Sequence, residues 1–356
     1  MTTRRGATRS IRADKSSADD GGRTRRTIVA IVMVVLLFVS LTFAITVGPT
    51  TITPIDVWGS VAHHLGLGTS PLPELRDGIV WQLRLPRVLT AAAVGAGLAV
   101  SGAVMQAVTR NPLADPYLLG LSSGASLGAV AVLLLGASLL LPIAAFLGAM
   151  LALGLTLLLA SSLGRITPSR TVLAGIAVSA LASAITSLVI FWTVTGDSYR
   201  EILGWLLGSL AGARWPEVAI AYSAILIAGV PIVLSGRVLD SFAFGDVSAA
   251  ALGVNVQRTR WLLLGTTALL TGAMVSVSGS IGFVGLVLPH AVRLMVGPRH
   301  RALLPLTALV GAVFLVWADT LARTLFDPRE LPVGIVTALI GAPVFALLLA
   351  RRKASS

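Results

Sequence analysis

The chain has 356 residues, of which 55% are hydrophobic and 12% charged, and its mean hydropathy is +0.90. Soluble globular proteins carry about 25% charged residues, so this composition excludes most soluble folds and indicates membrane spans of about 20 apolar residues each. The formal net charge of +12 does not require nucleic acid, because cytoplasmic loops of membrane proteins are rich in Lys and Arg, and the absence of cysteine excludes disulfides and thiolate chemistry.

A basic tail and a first apolar run open the chain. Residues 1–26 are polar and hold eight of the 27 basic residues, a composition that predicts a disordered tail. Residues 27–47 form a largely apolar run, which exceeds the 7–15 residues of a signal-peptide core and lacks a clear cleavage site. We therefore predict a first membrane-spanning helix, with the tail in the cytoplasm.

Nine further apolar runs follow, so we predict an all-α membrane protein with a ten-helix domain over residues 27–350 and a short cytoplasmic tail at 351–356. The runs lie at about 88–108, 118–141, 143–163, 171–194, 217–235, 261–279, 281–296, 303–323 and 333–350. Ten spans place both termini in the cytoplasm. In this topology the inside segments hold 20 basic residues and the outside loops seven, as the positive-inside rule requires.

Two sequence patterns concern how the spans pack. At an offset of 177, residues 95–112 and 272–289 share Gly, Val-Ser-Gly and Pro in the same order. These segments belong to spans that run in opposite directions, which is consistent with an inverted repeat of spans 2–5 and 7–10. Gly120, Gly124 and Gly128 recur every fourth residue in span 3, a spacing that lets helix backbones approach closely in lipid.

Several kinds of catalytic site are absent from the sequence. It contains neither a G-x-x-x-x-G-K-[ST] phosphate loop nor an H-E-x-x-H zinc motif, so we expect no ATP hydrolysis, no metal site and no catalytic residues in this chain. The adjacent His63 and His64 lie in an outside loop and, as neighbours, point apart. Asp319 is the only acid clearly within a span, whereas proton-driven transporters need buried ionisable groups. A self-sufficient secondary transporter and an intramembrane enzyme are therefore the less favoured alternatives.

Three segments together carry a family resemblance. The first runs from Arg84-Leu-Pro-Arg87 through Ser101-Gly-Ala-Val-Met-Gln106 to Asn111-Pro-Leu-Ala-Asp-Pro116. The second is Gly279-Ser-Ile-Gly-Phe-Val-Gly-Leu-Val-Leu-Pro-His290, and the third is Glu330-Leu-Pro-Val-Gly334 with Gly341-Ala-Pro-Val-Phe345. With these motifs in this order, the chain from about residue 30 to 350 resembles the FecCD family, the permease subunits of ATP-binding-cassette importers for iron-siderophores, haem and cobalamin.

The resemblance implies an importer built from several subunits in the bacterial cytoplasmic membrane. This chain would pair with a second permease subunit, identical or paralogous, and with two cytoplasmic ATPase subunits that use the ATP. An external substrate-binding protein would deliver the substrate, and transport would proceed by alternating access between the two permeases. We expect no cofactor on this chain, and contacts with membrane lipid but not with nucleic acid. Asp115, instead of Glu, resembles siderophore importers, with cobalamin or haem as the alternative substrate.

Three arginines at the outer boundary have two interpretations. Arg84 and Arg87 precede span 2, and Arg323 closes span 9. They could extend from the membrane to the interface as long cationic side chains often do, and Asp319 and Arg323 have the i, i+4 spacing of a local ion pair. The family resemblance instead implies that the three arginines receive acidic residues of the substrate-binding protein, which is the interpretation we favour.

The long inside loop 236–260 is the predicted contact with the ATPase. It places apolar groups in a cytoplasmic segment, with two short helices expected around the breaks at Gly245 and Gly253, and exposed apolar groups often mark a partner surface. The resemblance implies that this loop is the coupling element. The residues assigned to it are Phe244, Gly245, Asp246, Leu252 and Gly253.

A last group of residues lies at the inner ends of spans 2 and 8. Prolines at such positions most simply end one helix and begin the next, and a contribution to gating is the alternative. The residues with this structural or gating role are Asn111, Pro112, Asp115, Pro116, Pro289 and His290.

Overall fold

The computed structural model describes residues 4–162, 167–193, 198–242 and 245–353. Within these ranges all regular structure is helical. The helices are α1 (Arg4–Thr46), α2 (Pro54–His64), α3 (Glu74–Gly78), α4 (Leu85–Thr109), α5 (Leu121–Leu134), α6 (Leu141–Ser162), α7 (Pro168–Thr193), α8 (Ser198–Leu206), α9 (Trp215–Ala224), α10 (Val230–Leu234), α11 (Gly236–Phe242), α12 (Asp246–Ala251), α13 (Val256–Ser278), α14 (Val284–Val296), α15 (His300–Thr324) and α16 (Val333–Lys353).

The helices confirm the predicted all-α membrane fold. Seven segments of the described chain are long and apolar enough to cross a membrane, and three shorter apolar helices, α5, α14 and most of α16, accompany them. α1 begins at Arg4, well before the apolar run, so the described tail differs from the disorder predicted for residues 1–26. Arg, the most frequent residue in that tail, and Ala are good helix formers.

Three helices, α5, α6 and α14, have boundaries that differ from the sequence prediction because of local backbone geometry. α5 is only 14 residues long, since Gly120 precedes it with φ +82° and Gly136 follows it with φ +67°. α6 begins at Leu141, slightly before the predicted run 143–163, with Pro142 in its first turn, where the missing N–H of proline is not needed. α14 starts at Val284, after Phe283 at φ +68°, so residues 279–283 are not helical.

The core of the fold is α4. In the segment Glu74–Thr109, 89% of the apolar window is buried within the protein, against 28% in the corresponding windows of α1 and α7. α4 packs against α13, α14 and α15. A helix surrounded on all sides by other helices holds its two ends in fixed positions, and the outer end of α4 carries two of the predicted site residues.

Glycines allow the closest helix crossings. A Cβ at Gly102 of α4 would lie 1.9 Å from the carbonyl oxygen of Gly285 in α14, and a Cβ at Gly124 of α5 would lie 2.4 Å from the carbonyl oxygen of Gly148 in α6. Neither position leaves room for any side chain. The packing role predicted for the glycine stripe of span 3 is thereby confirmed at Gly124.

A widened turn precedes α4. Residues Ile79–Arg84 form a π-helical turn, in which the N–H of Leu85 donates to the carbonyl oxygen of Val80. Pro86 follows directly, and a proline ring clashes with the carbonyl four residues earlier in a regular α-helix. The π turn relieves this conflict, and it fixes the directions in which Arg84 and Arg87 leave the helix.

Candidate docking and coupling sites

Five ionisable side chains gather at the end of the bundle that the charge distribution places outside. Arg84 closes the π-helical turn, and Arg87 lies in the first turn of α4. Asp319 and Arg323 lie near the end of α15, and Glu330 lies in the connection from α15 to α16. These five residues, which we call the outer cluster, hold three cations and two carboxylates.

Arg87 is the centre of the outer cluster. Its Nε donates to Asp319 Oδ2 at 2.9 Å and its Nη2 to Asp319 Oδ1 at 3.0 Å. Its Nη1 donates to Glu330 Oε2 at 2.7 Å. The side chains of Arg87 and Asp319 are 11% and 2% exposed, whereas that of Glu330 is 46% exposed. One guanidinium therefore joins a buried carboxylate to an exposed one.

Arg84 has a different environment from Arg87. It is buried, and its donors are used by backbone carbonyls at the end of α1 and in the loop that follows. Nη1 donates to the carbonyl oxygens of Ile45 at 2.9 Å and Thr46 at 3.1 Å, and Nη2 donates to that of Thr50 at 3.2 Å. In this conformation Arg84 fastens the outer end of α1 to the start of α4 and does not reach the surface.

Arg323 is half-buried beside the same helix end. Its Nη2 donates to the carbonyl oxygen of Ala44, and its Nε is buried without a hydrogen-bond partner. The hydrogen bonds of Asp319 come from Arg87 and not from Arg323, so the local pair suggested by the i, i+4 spacing is replaced by a contact between α4 and α15.

A second polar group in the outer loops holds the two histidines. His64 Nε2 lies 2.7 Å from Asp77 Oδ2, and Ser70 donates to Asp77 Oδ1 at 2.5 Å. The His64 ring stacks on Trp81 with its centroid 4.2 Å away, while His63 Nδ1 lies 2.9 Å from a backbone carbonyl oxygen. The rings point to different partners, and the group ties α2 to α3.

The inside loop contains the two short helices expected there, α11 and α12. Gly245 at φ +93° and Gly253 at φ +82° flank α12, a backbone region that favours glycine. Leu252 is 70% exposed and Val247 is 86% exposed, whereas Ala249 is fully buried. α12 and Leu252, the residue that follows it, therefore present apolar side chains at the surface of the inside loop. Val247 of α12 was not among the predicted coupling residues, and Phe244 lies outside the described residues.

The Asp246 side chain is 40% exposed and is held by two arginines of this chain. Arg260 Nη2 of α13 donates to its two carboxylate oxygens at 2.9 and 3.0 Å, and Arg110 Nη2 lies 3.8 Å away. The Arg260 side chain is only 6% exposed, and its guanidinium carbon lies 5.8 Å from the ring centre of Phe242. Asp246 thus fixes α12 to α13 and to the inner end of α4.

The inside loop is also bound to the start of α15. Asp240 Oδ1 in α11 accepts from the backbone N–H of His300 at 2.7 Å and lies 2.9 Å from His300 Nδ1. The same helix, α15, carries Asp319 at its other end. The sequence separation of 60 residues between Asp240 and His300 left no local pattern from which this contact could have been predicted.

The helix-end residues occupy the connection from α4 to α5. Asn111 Oδ1 accepts from the N–H of Leu113 at 3.0 Å, and Asp115 Oδ1 accepts from the N–H of Tyr117 at 2.8 Å. Pro116 then opens the short 3₁₀ helix Pro116–Leu119. Burial raises the pKa of Asp115 to about 6.

The remaining helix-end residues complete this group. Pro112 lies between Asn111 and Leu113 in the same turn. Pro289 is buried inside α14, and His290 follows it, half-buried.

Comparison with known proteins places most of the chain in one family. Residues 35–351 match the FecCD transport family. A second group of matches consists of individual permeases. The "Uncharacterized ABC transporter permease protein YvrB" of Bacillus subtilis is 42% identical over 325 residues, which cover 89% of this chain and 91% of that protein.

Two further relatives are named after the substrate that they transport. The cobalamin import system permease protein BtuC of Halobacterium salinarum is 44% identical over 79% of this chain and 76% of its own length. The hemin transport system permease protein HmuU of Yersinia pestis is 44% identical over 77% of this chain and 84% of its own length.

A solved structure of an ABC transporter has the same fold as this chain. It is the inward-facing conformation of an ABC transporter assigned to the metal-chelate type, and it superposes with a TM-score of 0.81 at 32% identity. The match covers 91% of this chain and 99% of that one.

Proposed function

This chain belongs to the FecCD transport family, and we propose that it is the permease subunit of an importer for ferric-siderophore complexes. At the level of the family, it is a multi-pass membrane permease subunit of an ABC importer of metal-chelate type, and it is not an enzyme. An ATPase and a substrate-binding protein are its expected partners. The finer proposal, the siderophore, rests on Asp115 in the segment Asn111–Pro116.

The named relatives leave cobalamin and haem as alternative substrates. They include permeases for cobalamin and hemin, which like ferric siderophores are large metal chelates. The test is uptake of labelled ferric siderophore, haem and cobalamin into proteoliposomes that contain this permease with its ATPase and binding protein. We expect the ferric siderophore to accumulate in an ATP-dependent manner. Accumulation of cobalamin or haem in its place would refute the siderophore assignment but not the family.

The transport mechanism that we propose is alternating access between two permease subunits. No bond of the substrate changes, and ATP is used by the partner ATPases. The long helix α7 supports such an arrangement, because only 28% of its apolar window is buried within the chain and the rest is available to a second permease or to lipid. In the described residues, the buried Asp319 is ion-paired with Arg87, which does not favour a secondary transporter driven by that carboxylate.

The proposed docking surface for the substrate-binding protein is the outer cluster. Its three arginines and two carboxylates carry a net positive charge, and charge complementarity speeds encounter with an acidic partner and sets the register. Arg87 and Arg323 lie nearer the surface than Arg84, which would support docking by holding α1 against α4. We expect Arg87→Glu to abolish docking in nanodiscs.

A milder variant guards against misfolding at this position. Arg87→Glu would place three carboxylates together, so Arg87→Lys, which keeps a cation beside Asp319, serves as the second variant. The matched control is Arg76→Glu, which changes an exposed arginine on the same side of the membrane. Undiminished binding to Arg87→Glu and Arg87→Lys would refute docking at Arg87.

The proposed coupling element is the inside loop with α12 as its contact helix. Support comes from the exposed apolar side chains on α12 and from the anchoring of Asp246 to Arg260. An exposed apolar surface such as that of α12 is typical of a partner contact. Because Asp246 joins α12 to α13, a movement of the partner would be passed on to α13. Simultaneous replacement of Phe244, Asp246 and Leu252 by alanine should uncouple ATP hydrolysis from uptake, and normal uptake by this variant would refute the assignment.

A further inference from the structure

The donors of Arg87 are divided between two unlike carboxylates. Nε and Nη2 hold the buried Asp319 in a two-point contact, while Nη1 alone holds Glu330, which is half-exposed. Asp319 lies in α15 and Glu330 lies in the connection that follows it. The contact of Arg87 with Asp319 is therefore buried, whereas its contact with Glu330 lies at the surface, where another carboxylate can reach Nη1.

The cost of breaking these two contacts differs strongly. Removing one partner from a buried ion pair leaves an uncompensated buried charge, which is strongly destabilising. An exposed pair is screened by water and salt and contributes little. An incoming carboxylate can therefore displace Glu330 from Nη1 far more easily than it can displace Asp319.

The backbone beside Glu330 allows this displacement without a loop rearrangement. The N–H of Leu331 donates to the carbonyl oxygen of Ala322 at 3.0 Å, and the N–H of Arg329 donates to that of Phe326 at 2.8 Å. Both neighbours of Glu330 are thus fixed by main-chain bonds. Only the Glu330 side chain needs to rotate toward solvent to expose Nη1.

We infer that Glu330 is an exchangeable counter-ion that occupies the Nη1 site of Arg87 until a carboxylate of the binding protein replaces it. This inference rests on the proposed docking role of Arg87 and adds a competitor within the chain. Glu330 keeps the arginine oriented when no partner is present. It also lowers the positive charge of the outer cluster, and so weakens the attraction for acidic proteins that cannot supply a matching carboxylate.

The test measures binding of the soluble substrate-binding protein that drives uptake in the proteoliposome assay. The permease is held in nanodiscs with its ATPase. Glu330→Gln removes the negative charge and leaves Asp319 paired, so we expect the dissociation constant to fall about two- to fivefold at low salt. The gain should disappear at about 0.5 M salt, where the Debye length is only a few ångströms.

Two control variants separate exchange from a general charge effect. Glu74→Gln makes the same chemical change at an exposed glutamate on the same side, and it should not tighten binding. In an Arg87→Lys background Glu330→Gln should have no effect, because lysine lacks the second arm that reaches Glu330. An unchanged or weaker affinity of Glu330→Gln, or an equal gain from Glu74→Gln, would overturn the inference. Full binding by both Arg87→Glu and Arg87→Lys would instead refute docking at Arg87.

Discussion

Replacement of Leu252 by alanine tests the coupling surface most directly. Leu252 is 70% exposed, so truncation should change the stability of the permease by less than about 0.5 kcal/mol. Alanine lacks three carbons, each contributing about 0.8 kcal/mol when it is fully buried. If the ATPase covers the exposed 70%, the loss is about 1.7 kcal/mol, and the permease–ATPase complex should dissociate at roughly 15- to 20-fold higher concentration.

The assay is titration of the purified ATPase against the permease in nanodiscs, with thermal unfolding of the permease as a check on its fold. Leu67→Ala is the matched control, because Leu67 is 74% exposed in an outer loop and undergoes the same truncation on the opposite side of the membrane. The reasoning fails if Leu252→Ala binds the ATPase as tightly as the wild type, or if Leu67→Ala weakens binding equally.

The remaining predictions concern packing, pH dependence and the anchoring of α12. Gly102→Ala should cost about 1–3 kcal/mol or more and lower the melting temperature, whereas Gly265→Ala, which meets open space, should have little effect. Because burial raises the pKa of Asp115 to about 6, the native state holds its proton more tightly than the unfolded state. Stability should therefore fall as the pH rises from about 4 through 6, and thermal unfolding of Asp115→Asn should lack this decline. Arg260→Gln should lower uptake per ATP hydrolysed, with Asp246→Asn giving the same loss and the double variant no more.

The sequence was sufficient for the all-helical membrane fold and for the approximate positions of the apolar helices, because the length of an apolar run is a local property. It could not give the boundaries of α5 and α14, which depend on left-handed residues such as Gly120 and Phe283. These conformations are imposed by packing against other helices. A hydropathy pattern reports only which residues are apolar, and it extends the predicted spans through such breaks.

The candidate sites could likewise be predicted only in part from the sequence. The motifs pointed to the arginines, but the partners of Arg87 lie 232 and 243 residues further along the chain. The partners of Arg84 are backbone carbonyls, which every residue possesses and which leave no trace in a sequence. Its burial could therefore not be predicted, and neither could the role of Asp246 as an internal anchor.

The position of α15 has a thermodynamic consequence. One unbroken helix of 25 residues, about 37 Å long, begins at His300, which is bound to the inside loop, and carries Asp319, which is bound to Arg87. If the proposed coupling and docking roles hold, a nucleotide state of the ATPase that moves the His300 end of α15 should also change the energy of the contact between Asp319 and Arg87. Linkage makes this relation reciprocal: the factor by which nucleotide changes the affinity for the binding protein equals the factor by which the docked binding protein changes the affinity for nucleotide.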